Sequence, residues 1–135
     1  LVDRLFDALL VLLLRHLLDS GLVQGGPLAG LGHPQLARAL AAMHEAPEKP
    51  WTLDALAATA GMSRSRFAEV FAERVGTPPS TYLAGYRITL AQEALRRGNK
   101  LDQVAQQVGY GSGAALSRAF ASVCGMSPRQ WLKSA

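Results

Sequence analysis

Leu53-Asp54-Ala55-Leu56-Ala57-Ala58-Thr59-Ala60-Gly61 and Leu101-Asp102-Gln103-Val104-Ala105-Gln106-Gln107-Val108-Gly109 are two versions of one pattern, 48 residues apart. After one extra residue in the second copy, Phe67 through Leu83 lies over Leu116 through Leu132 at an offset of 49. The identical pairs are Leu53/Leu101, Asp54/Asp102, Ala57/Ala105, Gly61/Gly109, Phe71/Phe120, Ala72/Ala121, Gly76/Gly125, Pro79/Pro128 and Leu83/Leu132. Phe67/Leu116 and Tyr82/Trp131 are close substitutes. Ala-rich helices match by chance at a few positions, but not at two glycines, a proline and an aromatic together. One supersecondary unit therefore occurs twice.

Each copy reads as a helix-turn-helix. Thr52 is placed to cap a helix over Leu53–Ala60, with Leu53, Leu56, Ala57 and Ala60 turned inward. Ala57 and Ala105 leave room for the next helix to cross closely. Gly61 and Gly109 fall where the first helix ends and a positive φ is easiest. The following helix is predicted over Arg64–Val75, with Phe67, Val70, Phe71 and the stem of Arg74 inward. Ser65, Glu69 and Ala72 lie opposite, flanked by Arg66, Ala68 and Glu73. In the second copy Leu116, Ala119, Phe120 and Val123 form the inward stripe, and Ala114, Ser117, Arg118 and Ala121 the outer face.

A helix predicted over Ser80–Arg97 joins the copies and stops at Gly98-Asn99. Its 18 residues span about 27 Å at about 1.5 Å per residue. Two recognition helices about one DNA turn apart, roughly 34 Å, are compatible with that length. Upstream, Pro34 suits the first turn of a helix running to about Glu45, with Leu36, Ala39, Leu40 and Met43 on its apolar face. Pro47 and Pro50 stop it. The expected fold is all-α: two helix-turn-helix subdomains and a long connector helix over residues 34–135, preceded by an apolar N-terminal helix over 1–19 and a glycine-rich linker over 20–33.

Composition agrees with a folded helical domain. Apolar residues make up 49% of the chain and charged residues 18%, which excludes wholesale disorder. The net charge of +4 is uneven. Residues 1–50 carry four basic and five acidic side chains, net −1, whereas residues 51–135 carry ten and five, net +5. A polyanionic partner would meet the second segment.

Leu1–Asp19 is apolar around much of its circumference, with Val2, Leu5, Leu9, Leu12 and Leu13 on one stripe. Such a helix wants cover, from a second subunit, from a sensor or dimerisation domain outside this chain of which 1–19 would be the remnant, or from its own domain. A homodimer through Leu1–Leu18 or through that sensor domain is therefore a candidate assembly. Asp3, Arg4, Asp7, Arg15 and His16 interrupt it, and its longest charge-free stretch, Ala8–Leu14, is far short of the roughly 20 residues that span a bilayer. No membrane contact is expected. The chain opens on Leu1 and is expected to be a piece of a longer protein. One cysteine, Cys124, excludes an intrachain disulfide and suits the reducing cytoplasm.

No catalytic constellation emerges. His16, His33 and His44 lie outside the repeat, with no two at metal-ligand spacing on one helix face. Cys124 matches Val75 and reads as a small core residue. Neither a glycine-rich phosphate loop nor a paired-carboxylate site is present. No enzyme activity, cofactor or metal is expected.

These residues resemble the AraC-type family of bacterial transcription activators. The resemblance covers about Pro34–Leu132. It rests on Leu53…Ala57…Gly61-Met62-Ser63 before Phe67…Phe71…Gly76, on Pro79…Tyr82-Leu83…Arg87…Ala91…Ala94-Leu95, on Val104-Ala105…Val108-Gly109-Tyr110, and on Phe120…Gly125-Met126-Ser127-Pro128…Trp131. Met43-His44…Pro47…Pro50-Trp51-Thr52 is further similar to the subgroup whose sensor is an N-terminal cupin barrel. The resemblance implies a cytoplasmic, sequence-specific regulator of transcription that binds a double-stranded DNA operator, with RNA polymerase as a further candidate partner.

Carried over by position, it turns Ser65, Ala68 and Glu69 of the first copy toward bases, and Gly113, Ala114, Ala115, Ser117 and Arg118 of the second. Arg64 stands at the end of its helix that enters a major groove in this motif. Arg64, Arg66 and Ser112 complete the expected DNA-binding set, and Thr52, Arg87, Arg97 and Lys100 are the expected phosphate contacts. Bland readings stand beside these. Arg64 and Arg66 can be solvated charges, Glu69 can pair with Arg66 or Arg74 as well as read a cytosine, and Arg96 and Arg97 suit a helix C-terminus. Gly111-Ser112-Gly113-Ala114-Ala115 departs from the family in being short of hydrogen-bonding side chains. The first unit is therefore expected to discriminate bases more strongly than the second. The competing reading is a helical interaction or dimerisation module whose basic half is incidental.

Overall fold

The computed structural model describes residues 33–134. The apolar helix expected at 1–19, and all of the 20–33 linker except His33, lie outside the described residues. Seven helices account for the described chain: α1 Pro34–Glu45, α2 Leu53–Ala60, α3 Arg64–Val75, α4 Pro79–Arg96, α5 Leu101–Val108, α6 Gly113–Cys124 and α7 Pro128–Ser134. No strand occurs among the described residues. The class is all-α, as the composition and periodicity indicate.

The chain divides into two compact units that interlace in sequence. Among the described residues the first takes 33–42 and Thr52–Pro79, and the second takes Met43–Trp51 and 80–134.

In the first unit, Pro34 opens α1 without the N–H it would have left unpaired. His33 does the capping: its Nδ1 accepts from the Leu36 N–H at 3.4 Å and its carbonyl from the Ala37 N–H at 2.8 Å. The Thr52 hydroxyl accepts from the Ala55 N–H at 3.1 Å and starts α2. Gly61, at φ 71°, ends it, and the Met62 N–H returns to the Ala57 carbonyl at 3.0 Å. α2 then packs on α3. Leu36, Leu40, Leu56, Phe67, Val70, Phe71 and Val75 are buried, and the Phe67 and Phe71 rings lie 5.5 Å apart. Arg74, expected to lend its stem to this face, is exposed, and Val75 takes the place. A buried valine removes apolar area from water, whereas burying Arg74 would also desolvate its guanidinium.

The second unit is built around Ile88, Ala91, Ala94, Leu95, Val104, Ala105, Val108, Leu116 and Phe120. Trp131 meets Phe120 edge-on at 5.6 Å, and α5 packs on α6. The end of α5 repeats the end of α2: Gly109 has φ 101°, and the Tyr110 N–H returns to the Ala105 carbonyl at 2.7 Å. The repeated alanines thus supply the carbonyl that closes each turn as well as room for the crossing. Ser127 and Gln130 form a reciprocal capping box on α7, each side chain accepting from the other's backbone N–H at 3.2 Å.

Val123, expected in the inward stripe of α6, is 48% exposed, like its repeat partner Arg74. Cys124, the counterpart of Val75, is partly buried against the core and accepts from the Gln92 side-chain amide at 3.3 Å. α4 runs one residue earlier than expected at each end, although the Arg97 N–H still bonds the Glu93 carbonyl.

Within this unit, Met43–Trp51 is fixed by side chains of α4. His44 Nε2 lies 2.6 Å from the Tyr82 hydroxyl, and the imidazole sits 4.5 Å from the Tyr86 ring. Burial lowers the His44 pKa, and burial together with Tyr86 pushes that of Tyr82 up to about 12. The Trp51 indole N–H donates to the Ala46 carbonyl at 2.8 Å.

Candidate nucleic-acid interface

Both turns place a 12-residue helix on the surface, and both start it the same way. Ser63 caps α3 by accepting from the Arg66 N–H at 3.2 Å, and Ser112 caps α6 by accepting from the Ala115 N–H at 3.1 Å. The extra residue of the second copy therefore sits in its turn, where Tyr110-Gly111 stands in place of Met62. From the caps onward the copies are in register, Arg64 with Gly113 and Glu69 with Arg118.

On α3 the structure leaves Arg64, Ser65, Arg66 and Glu69 exposed and Ala68 partly exposed. Ala72 and Glu73 continue that surface. Arg64 Nε stands 3.9 Å from Asp54 Oδ1, with both side chains more than two-thirds exposed, so solvent screens the pair heavily. On α6, Ala114 and Arg118 are exposed and Ala115 and Ser117 partly so, with Ala121 and Ser122 beyond them. The α3 face thus mixes two arginines with two carboxylates. The α6 face is narrow and small-chained, with one arginine and no acid.

Gly113, expected to face bases, is buried at the start of α6. Its N–H donates to Asp102 Oδ1 at 3.0 Å, and Leu101 lies against it. The residue belongs to the joint between α5 and α6 rather than to the exposed face.

The four expected phosphate contacts separate into two kinds. Arg97 and Lys100 are exposed, and Lys100 precedes α5 without capping it through its side chain. Thr52 is exposed, with its hydroxyl engaged as the cap of α2. Arg87 is committed inward: Nε donates to the Pro47 carbonyl at 2.9 Å, an Nη donates to the Lys49 carbonyl at 2.8 Å, and the guanidinium lies 5.6 Å from the Tyr110 ring centroid. This arginine ties the chain before α2 to the turn after α5. Arg96, which its sequence position suits to a helix C-terminus, lies 4.7 Å over the Trp131 ring.

Asp54 and Asp102 were not among the expected interface residues, although both stand next to the reading helices. Their identity across the repeat was the available signal. An acid in the first turn of a helix also suits the helix dipole, so that identity alone does not mark a contact. Among the described residues no group of three or more His, Cys, Asp or Glu side chains is placed to share a metal ion, and no helix is long and apolar enough to cross a membrane.

A family model of the helix-turn-helix domain matches residues 56–134, taking in both turns. A putative AraC-like transcription regulator of Streptomyces lividans is 44% identical over 98% of this chain. The HTH-type transcriptional regulator AlkR of Acinetobacter baylyi is 39% identical over 96%. The chain spans 44% of the length of each of these relatives. Among solved structures, the DNA-binding domain of the global transcriptional factor AdpA, crystallised with a target DNA, matches 75% of this chain and 91% of its own at 30% identity, with a TM-score of 0.69. An AraC-type regulator from Chromobacterium violaceum matches 76% of this chain and 93% of its own at 26% identity and a TM-score of 0.68. Two capped turns, two exposed 12-residue helices and these likenesses place the chain in the helix-turn-helix domain family, in its AraC-type branch.

Proposed function

We propose that this module binds double-stranded DNA sequence-specifically and acts in transcription regulation, with α3 and α6 each read into a major groove. The observation that carries the reading is the duplication itself. Two serine-capped helices of equal length present exposed polar faces, in a chain 30% identical to a domain crystallised on its target DNA. A helix of 12 residues, about 18 Å long, fits a groove about 12 Å wide, and arginine is the commonest reader of guanine there.

Arg64, Ser65, Arg66, Ala68 and Glu69 form the first reading face, and Ala114, Ala115, Ser117 and Arg118 the second, with Ser112 at its start. Arg97 and Lys100 supply positive charge for phosphates, and Thr52 stands at the start of α2. The module is a DNA-binding part, residues 34–135, of a longer cytoplasmic regulator that is not an enzyme. Leu1–Leu18 is the candidate dimerisation segment and RNA polymerase a candidate partner. The test is selection of bound sequences from a random DNA pool, followed by salt titration. A recovered motif, with log affinity falling linearly against log salt as counterions are released, is the expected result. Failure to enrich any motif would overturn sequence-specific binding, and salt-indifferent association would favour a protein-interaction module.

A further inference from the structure

The two turns use the same acid differently. Asp54 and Asp102 are the second residues of α2 and α5. At the first turn the Asp54 carboxylate faces a side chain, the Arg64 guanidinium at 3.9 Å. At the second, Asp102 Oδ1 accepts the N–H of Gly113 at 3.0 Å, so it holds the backbone of α6 at its first residue. Ser112 accepts from Ala115 at the same end. Two of the N–H groups that a helix start leaves unpaired are thereby satisfied, one by the helix's own cap and one from the preceding helix.

Gly113 is what admits this approach. A Cβ there would fall inside contact distance of Asp102 Oδ1 and lie 3.3 Å from both Cγ and Cδ2 of Leu101. Any side chain there would have to displace the Asp102 carboxylate from the Gly113 amide or move the start of α6. In the first copy the equivalent residue is Arg64, which is exposed.

We propose that Asp102 is a positioning residue for base reading: by gripping the Gly113 amide it fixes where α6 begins, and so where Ala114, Ser117 and Arg118 meet bases. This rests on α6 being a DNA-reading helix. Hydrogen bonds to base edges hold only over about 2.7–3.2 Å, so a small displacement of the helix start costs discrimination. Phosphate attraction is longer-ranged and survives such a shift.

The test compares D102A, D102N and G113A in the whole chain, using binding profiles from a random DNA pool, affinity for a non-specific duplex, and the urea midpoint. R118A first identifies the operator positions read by α6. D102A is expected to flatten base preference at those positions roughly tenfold, the size of one good base contact. Positions read by α3 and non-specific affinity should change less than about twofold. D102N keeps an acceptor oxygen and should retain the preferences. G113A should flatten the same positions, and should add little on top of D102A because the obstructing carboxylate is gone. If D102A fails to fold, G113A with D102N carries the test.

Uniform loss at both sets of positions, or D102N behaving as D102A, would overturn the positioning role while leaving DNA reading intact. A wild-type chain that selects no motif would overturn DNA reading itself, and the proposal with it.

Discussion

The first and second helix-turn-helix units share a serine cap on the 12-residue helix, glycine stops and helix lengths, yet differ in what secures that helix. α3 begins at an exposed Arg64 and carries arginines and carboxylates, so its face is rich in contacts and closely balanced in charge. α6 begins at a buried glycine clamped by Asp102 and carries small side chains around Arg118. Duplicated architecture therefore does not mean duplicated recognition. One helix offers several polar side chains, while the other offers a backbone held by Asp102 and a single long side chain.

That contrast can be broken or sharpened by substitution. The largest effects belong to the paired core rings, Phe71 and Phe120, both fully buried. Truncating either to alanine is expected to cost about 3–5 kcal/mol. Amide hydrogen exchange should show protection lost chiefly in the unit that carries the substitution. Equal loss in both would mean that the two units open as one.

The paired glycines come next. Alanine at Gly109 would place its Cβ 2.8 Å from the Pro47 carbonyl and 3.0 Å from Arg87 Nε, on a backbone of φ 101°. Alanine at Gly61 would meet only the Gln35 amide at 3.9 Å, on a backbone of φ 71°. Left-handed strain alone is worth about 1–2 kcal/mol and overpacking adds about 1–3. Gly109→Ala should therefore lower the urea unfolding free energy by about 2–5 kcal/mol and Gly61→Ala by about 1–2. Equal costs would show that Arg87 does not pin the second turn.

For DNA affinity, Arg118→Ala is expected to lose about 1–3 kcal/mol at fixed salt, the range of a bidentate base contact. Arg64→Ala should lose less, because the exposed carboxylates of Glu69 and Glu73 on the same helix offset its charge toward DNA. An unchanged operator affinity on Arg118→Ala would remove α6 from base reading. Smaller still are the caps: Ser63→Ala and Ser112→Ala should each cost about 1 kcal/mol of stability in urea titration.

The smallest effect is one of pH, and it concerns the second unit alone. Burial lowers the His44 pKa below its ordinary 6.5, so the unfolded chain binds the proton more readily than the folded one. The resulting stability is complete above pH 6.5 and falls as pH drops below that value toward the folded pKa, by at most about 1.4 kcal/mol per pH unit. Urea midpoints at pH 7.5 and 5.5 should differ in this direction, and His44→Gln should reduce the difference. A wild-type midpoint that rose on acidification would contradict it.

Much of this was legible in sequence because repeats, caps and glycine stops act locally. Thr52, Gly61 and Gly109 each sit where a helix must start or end, and the pattern of Leu36, Leu40 and Phe67 is enough to identify a buried face. What escaped depends on contacts distant in the chain. Arg87 looked like a phosphate contact because it lies on the connector helix; its partners are carbonyls of Pro47 and Lys49, some 40 residues earlier. Gly113 looked like a base-facing residue because the acid that holds its amide lies in α5, 11 residues back. The joint of His44, Tyr82 and Tyr86 was invisible for the same reason.

The interlaced chain path sets the terms on which this protein can be taken apart. The second unit includes Met43–Trp51, which precedes the first turn, so no cut between the two repeats releases a complete second reader. A fragment beginning at Ser80 would leave Arg87 without its carbonyls and His44's tyrosines without their histidine. Exchange of recognition specificity between relatives is correspondingly simple for the outer faces of α3 and α6 and hard for whole units. A transplanted second reader has to travel with a strand of sequence borrowed from the other side of the first.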